Sequence, residues 1–201
     1  MIDVRPMQSD DLAGVVAIHR AAFPNFFLSL LGPRFLRVFY GFVADDGIDL
    51  VALEDGQLAG FVAGVADSRS FYRRLLRRRV AQIALAILPV VLRRPSTLVR
   101  VARRARQRTR VGADEPSGAE LMSLAVDPSR QHRGIGRALV AAFTERVAVA
   151  GVGCLWLTTD AAENDEVIRF YETIGFKRSR EFTTVEGRAL VELTCSAEPR
   201  P

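Results

Sequence analysis

The residues best suited to chemistry lie in the string LAVDPSRQHRGIGRALV at 124–140. An apolar run with the character of a buried strand stops at Asp127-Pro128 and a basic loop follows. Gly134-Ile135-Gly136 then opens a helical repeat, with apolar positions at 135, 139, 142, 143, 147 and 150. A helix start leaves its first N–H groups unpaired and carries the positive end of the helix dipole, so it attracts anions. Glycine at 134 and 136 lets the backbone approach a phosphate closely, and Arg133 and Arg137 add charge. A lone GxG after a strand is equally compatible with an ordinary glycine-rich turn flanked by arginines. Two other phosphate loops are excluded. There is no GxxxxGK(S/T), and Leu139 stands where a dinucleotide-binding GxGxxG needs its third glycine.

These residues need elements to hold them, and the chain supplies an alternation of strands and helices. Residues 2–6 form a first strand, and Ser9 stands as N-cap before a helix with Leu12, Val15, Val16, His19 and Ala22 on one side. A second helix is expected over 33–44, then a hairpin of strands 49–53 and 58–66 turning at 54–57. After an arginine-rich stretch and a linker over 113–119 come a strand at 120–126, the helix at 134–150 and a strand at 154–159. A helix over 164–174 follows, with Val167, Phe170, Tyr171 and Ile174 on one side and Gly175 as its C-cap. Strands near 176–180 and 188–194 complete an α/β chain with a mixed, mostly antiparallel sheet of six to seven strands. Length and composition (201 residues, 49% apolar, 25% charged) suit one domain over 1–195, with a short tail at 196–201.

Two blocks together narrow the reading. QHRGIG at 131–136 resembles the pyrophosphate loop of the GNAT superfamily of acetyl-CoA-dependent N-acetyltransferases. The block NDEVIRFYETIGF at 164–176 is similar to that superfamily's second motif, with its asparagine, Phe-Tyr pair and Gly-Phe. The resemblance covers the N-terminal elements and 119–195, and leaves out roughly 68–112. It implies a GNAT fold, with acetyl-CoA as co-substrate and no metal. It further implies that Leu124, Ala125 and Val126 present main-chain groups to the pantetheine arm, an Ala125 N–H polarising the thioester carbonyl. Gln131, His132, Arg133, Gly134, Ile135, Gly136 and Arg137 would hold the pyrophosphate, and Asn164 would bond the arm or cap the helix it precedes. Tyr171 matches the tyrosine that protonates the departing thiolate, a task suited to a phenol still protonated at neutral pH. The alternative for Tyr171 is packing alone. Glu120 matches a general base used by some members; otherwise it is a strand-edge carboxylate facing solvent. His19 and His132 are weaker candidates, one on an apolar helix face and the other in the phosphate loop.

Charge is distributed unevenly. Between Arg69 and Arg110 stand fourteen arginines and no acid, whereas the rest of the chain has 14 basic and 23 acidic residues. Such a segment, 68–112, draws anions. It is expected to form helices broken at Pro89 and Pro95. Three uses are open: a helical cap on the domain or on a second subunit of a homodimer, an anionic-acceptor site, or a peripheral membrane contact through 69–110. Nucleic acid is disfavoured, because Phe71 and Tyr72 are the only aromatics and lie at its edge. Cys154 and Cys195 lack the spacing of a metal site or disulfide framework, and with no secretory or membrane-spanning segment a cytoplasmic protein is expected. The functional expectation is transfer of acetyl to a primary amine of a small molecule, such as an amino sugar or nucleotide sugar. The alternatives are a protein N-terminus or lysine as acceptor, and a regulatory or membrane-surface module that binds CoA without turnover.

Overall fold

The computed structural model describes residues 1–95, 116–184 and 187–197. Seven strands form a single sheet in the order β1-β2-β3-β4-β5-β7-β6: Ile2–Pro6, Ile48–Glu54, Gln57–Val65, Ala119–Val126, Cys154–Asp160, Lys177–Thr183 and Ala189–Ser196, numbered β1 to β7 along the chain. Neighbours pair antiparallel except β4 and β5, which run parallel. Helices α1 (Leu12–Ala22), α2 (Phe27–Leu30), α3 (Pro33–Asp46) and α4 (Ser68–Arg93) precede β4. Helix α5 (Ile135–Val149) joins β4 to β5, and α6 (Asp165–Thr173) joins β5 to β6. The mixed, mostly antiparallel sheet expected from the sequence is therefore present, with seven strands.

Strand β3 is the spine of the sheet. Its residues Ala59 to Val65 are all buried, because helices cover both faces. Phe61, Ala63 and Val65 face α1, α3 and α4 in one core, with Val15, Leu36 and Phe71. Ala59 and Val62 face α5 and α6 in the other, with Ile135, Leu139, Phe143, Ile168 and Tyr171. Burying a side chain such as Phe143 contributes about 2–3 kcal/mol, and it does so only because β3 offers glycine beneath it. A Cβ at Gly64 would lie 2.3 Å from the Glu120 carbonyl and 2.4 Å from the Phe143 ring. The β2–β3 turn has Asp55 and Gly56 both left-handed, at φ 53° and 78°, which is the geometry a two-residue hairpin needs.

Three local expectations are corrected. Ser9 is not a cap: a 3-10 turn over Ser9–Asp11 precedes α1, and the Asp11 carboxylate takes the Gln8 N–H at 2.7 Å and is paired with Arg5. The short helix α2 was not anticipated. The arginine-rich segment is not broken at Pro89, since α4 runs unbroken to Arg93 and stops just before Pro95. Pro89 withholds an N–H from the Leu85 carbonyl, a loss that costs less where the backbone can reach water, and Leu85 is an exposed position. Its N-terminus is fixed by Asp67, whose carboxylate accepts the N–H groups of Arg69 and Ser70 at 3.1 and 3.3 Å. Residues 96–112 of the expected insertion lie outside the described residues.

Candidate functional site

Strands β4 and β5 are paired only at Ala119–Leu155 and Glu120–Trp156. Beyond those positions β4 stays bonded to β3 as far as Val126–Gly60, while β5 stays bonded to β7 as far as Asp160–Leu190. The two strands thus separate into a wedge, and alternate peptide groups of β4 past Glu120 face the gap rather than a neighbouring strand. The register gives the physical cause. Ala63 pairs with Ser123 but Gly64 pairs with Leu121, so Met122 is an extra residue in β4, and such a bulge bends its strand.

The bulge is braced from the α1/α3/α4 side. The Tyr72 hydroxyl donates to Met122 Sδ at 3.1 Å. Ser123 lies beside Tyr40, whose hydroxyl is 2.6 Å from His19 Nδ1. His19 is buried, and burial pushes its pKa down to about 4, so the ring is neutral. His19 belongs to this buried brace rather than to a solvated site, which agrees with its rank as a weak catalytic candidate.

At the open end of the wedge the chain turns into α5. Asp127 N–H bonds the Ala59 carbonyl at 2.8 Å, and its carboxylate takes both Ser129 N–H and Oγ, at 2.9 and 2.7 Å. Those bonds hold the Asp127 carboxyl below its ordinary value. After the 3-10 turn Pro128–Arg130, His132 is left-handed at φ 62° and Gly134 at φ 83°. The first helical bond runs from Ala138 N–H to the Gly134 carbonyl at 3.0 Å, so the N–H groups of 134–137 precede the ladder. With glycine at the N-cap, no side chain caps them. The result is a cluster of outward-pointing donors, the arrangement that binds anions.

Individual residues divide into groups. Gln131, His132, Arg133, Gly134 and Arg137 are exposed along the loop, while Ile135 is a core anchor. Arg133 is committed elsewhere: it and Arg130 both bond the Glu54 carboxylate, at 3.1 and 3.2 Å. Arg137 is the exposed guanidinium in the first turn of α5, beside the free donors. A Cβ placed on Gly136 would lie 3.4 Å from the Phe170 ring and 3.9 Å from Val126 Cγ2. The end of β4, the start of α5 and the second half of α6 therefore meet at one point.

Tyr171 follows Phe170 there, 6% exposed, its ring edge-on to Phe170 and Phe176 at 5.1 and 5.3 Å. Burial raises its pKa well above the usual phenol value, which keeps the hydroxyl protonated. Asn164 occupies the N-cap position of α6 without a side-chain cap bond. Its amide instead donates to Thr159 Oγ1 at 2.8 Å and to the Asp160 carbonyl at 2.9 Å, tying α6 to the end of β5.

Glu120 lies apart from this group. It is buried, not solvent-facing, and stands at the closed end of the wedge opposite Trp156. Five residues of strand separate it from Ala125, about 16 Å at 3.3 Å per residue. Sequence reading also missed Gly60, where a Cβ would meet the Ala125 carbonyl at 2.9 Å and both Ile135 and Leu139 at 3.2 Å. Its signal was faint: a glycine inside an otherwise apolar strand marks close approach of another element.

The acetyltransferase (GNAT) family model matches residues 12–176. The [ribosomal protein bS18]-alanine N-acetyltransferase of Escherichia coli (strain K12) is 38% identical over 84 residues, which are 40% of this chain and 54% of that protein. The match thus spans about half the length of that relative. A mycothiol acetyltransferase of Kocuria rhizophila is 38% identical over 65 residues, covering 32% of this chain and 21% of that protein. In fold, the chain superposes on the crystal structure of the Escherichia coli ribosomal-protein-S18-alanine N-acetyltransferase with a TM-score of 0.61 at 19% identity, over 100% of this chain and 97% of that one. An aminoglycoside 6'-acetyltransferase type Ii gives 0.63 at 16% identity, over 99% of both chains.

Proposed function

This chain belongs to the GNAT family of acetyltransferases, and from that premise we propose that it moves the acetyl group of acetyl-CoA onto a primary amine, with the α-amino group of a protein N-terminus as the acceptor. The observation that carries the transfer reading is the wedge between β4 and β5 opening onto the uncapped start of α5. A pantetheine arm needs extended backbone to bond along its length, and a pyrophosphate needs a cluster of N–H donors at one end. Both are adjacent here. The residues fit the group: 134–137 offer donors, Arg137 offers charge, and Gly136 leaves the backbone bare where β4, α5 and α6 meet.

In the proposed reaction the amine nitrogen bonds the acetyl carbon while the carbon–sulfur bond breaks. The register turns the Ala125 N–H expected for this task toward β3, in step with the Asp127 N–H on the Ala59 carbonyl, so the gap-facing N–H groups of Leu124 and Val126 are the ones that can steady the carbonyl oxygen as its charge grows. Tyr171, kept protonated by burial, gives its proton to the leaving sulfur. The incoming ammonium must first lose a proton, and Glu120 reaches it only through intervening water, given its place at the closed end of the wedge. Asn164 holds α6 against β5 so that Tyr171 stays at the wedge.

The acceptor class rests on relatives. The bS18-alanine enzyme names an N-terminal amine of a protein, which favours that acceptor over an amino sugar. The mycothiol acetyltransferase match supports a small-molecule amine as the second reading. A thiol-release assay with acetyl-CoA, a panel of short peptides with different first residues, and a panel of amino sugars tests both. Turnover with free-amine peptides that disappears when the N-terminus is blocked is the expected result. Turnover with amino sugars alone refutes the acceptor assignment, and acetyl-CoA binding with no thiol release from any amine refutes the enzyme.

A further inference from the structure

Helix α4 has an outer face that acetyl transfer does not explain. Of the ten large hydrophobic side chains exposed among the described residues, five lie on it: Leu76, Val80, Leu85, Leu88 and Leu92. The inner face of the helix packs on the first core through Phe71, Leu75 and Ala86. At 100° per residue, Ala81, Ala84, Leu85, Leu88 and Leu92 share one outward sector about 100° wide. No charged residue falls between Arg79 and Arg93. The second half of α4 is therefore uncharged and, apart from Gln82, apolar all round, and a helix of that kind needs cover on its outer side as well.

Charge identifies the cover. Helix α4 contains no acid. From α3, Asp46 pairs with both Arg74 and Arg78, and Asp45 pairs with Arg79, two acids against three arginines. Among the described residues Arg73, Arg77, Arg93 and Arg94 are exposed and form no ion pair; Arg73 and Arg77 lie along the N-terminal side of the apolar sector, and Arg93 and Arg94 follow it at the end of the helix, turned away from its centre. From Arg77 to Arg93 is about 24 Å along the axis. A second copy of the chain fits badly. Antiparallel pairing about Leu85 and Leu88 would bring Arg93 and Arg94 within a turn of the other copy's Arg77, and parallel pairing would set each arginine beside itself. An anionic bilayer surface takes the leucines below its headgroups and the arginines among its phosphates.

We propose that the outer face of α4 is a docking surface for anionic membrane, which holds the enzyme at the bilayer surface without crossing it; no helix among the described residues is long and apolar enough to span.

The test uses the full chain and co-sedimentation with vesicles of phosphatidylcholine alone, or with about one third phosphatidylserine. The protein should sediment with the anionic vesicles and not the neutral ones. Each arginine near such a surface is worth about five-fold in partitioning, so Arg73→Ala with Arg77→Ala should lower it about 25-fold. Leu85→Asp with Leu88→Asp, both at exposed positions that leave the core intact, should abolish sedimentation while the melting temperature stays close to that of the parent. Three results overturn the proposal: no sedimentation with either vesicle, sedimentation unchanged in the leucine variant, or a dimer that the leucine variant dissociates in the absence of any vesicle binding. None of these readouts depends on acetyl transfer, so failure here leaves the reading of the wedge standing.

Discussion

Replacing the two loop glycines separately should move stability in opposite directions. Gly134 is left-handed at φ 83° with no atom within 4 Å of an added Cβ. Alanine there meets no clash, and its cost is conformational, about 1–2 kcal/mol. Gly136 has an ordinary helical backbone, and an added Cβ would rest 3.4 Å from Phe170, a normal contact. Alanine at that place in a helix gains up to about 0.5–1 kcal/mol. The two variants should therefore differ by about 2 kcal/mol, or about 4–8 °C in melting temperature for a chain of this size. Gly136→Glu separates binding from folding. Its carboxylate would point among the donors of 134–137, and two like charges about 5 Å apart at an effective dielectric of about 20 repel by about 3 kcal/mol. Calorimetry should then show acetyl-CoA affinity about a hundred-fold weaker in a variant that still melts cooperatively. Equal melting temperatures for the two alanine variants would refute the conformational reasoning. Unchanged affinity in folded Gly136→Glu would place the pyrophosphate somewhere else.

Tyr171→Phe should lower kcat more than it raises KM for acetyl-CoA, because only the leaving sulfur needs the proton; unaltered kcat would leave the ring a packing role alone. With its pKa raised by burial, Tyr171 should remain protonated well past neutrality, so a kcat–pH profile that falls with a Tyr171-dependent limb near pH 8 would contradict its buried state. Stability between pH 4 and 6.5 should reflect two opposed groups. His19 is held near 4 against 6.5 in the unfolded chain, so the unfolded state binds more protons and acidification across that window costs about 3 kcal/mol. Asp49 is raised to about 6 from 3.8, so the native state binds more protons, and its contribution, also about 3 kcal/mol, is present at low pH and lost as pH rises through 6. Denaturant melts should thus be nearly level with pH in the parent, fall with rising pH in His19→Gln, and rise in Asp49→Asn; matching slopes in the two variants would show that neither group is buried as described.

Much of the fold and the glycine loop that opens α5 was determined by sequence alone, because those features depend on neighbours along the chain. Helical spacing from 135 to 150, the Asp55-Gly56 turn and the glycine-opened helix are local events, and they occur where the residues indicate. The family resemblance of the blocks at 131–136 and 164–176 has the same origin, and the family match over residues 12–176 agrees with it. Local reading failed where a partner distant in sequence decides. Pro89 marks a break, yet packing of Ala86 and its neighbours on the first core carries α4 past it to Arg93. Asn164 has the residue type of a cap, but Thr159 and the Asp160 carbonyl compete successfully for its amide. Glu120 has an edge-strand position in sequence, and only pairing with both β3 and β5 buries it at the closed end of the wedge. The wedge itself depends on one extra residue, Met122, set against a register that β3 imposes from about sixty residues away. Register is a property of two strands together, so no single stretch of chain could announce the gap in which the reaction is proposed to occur.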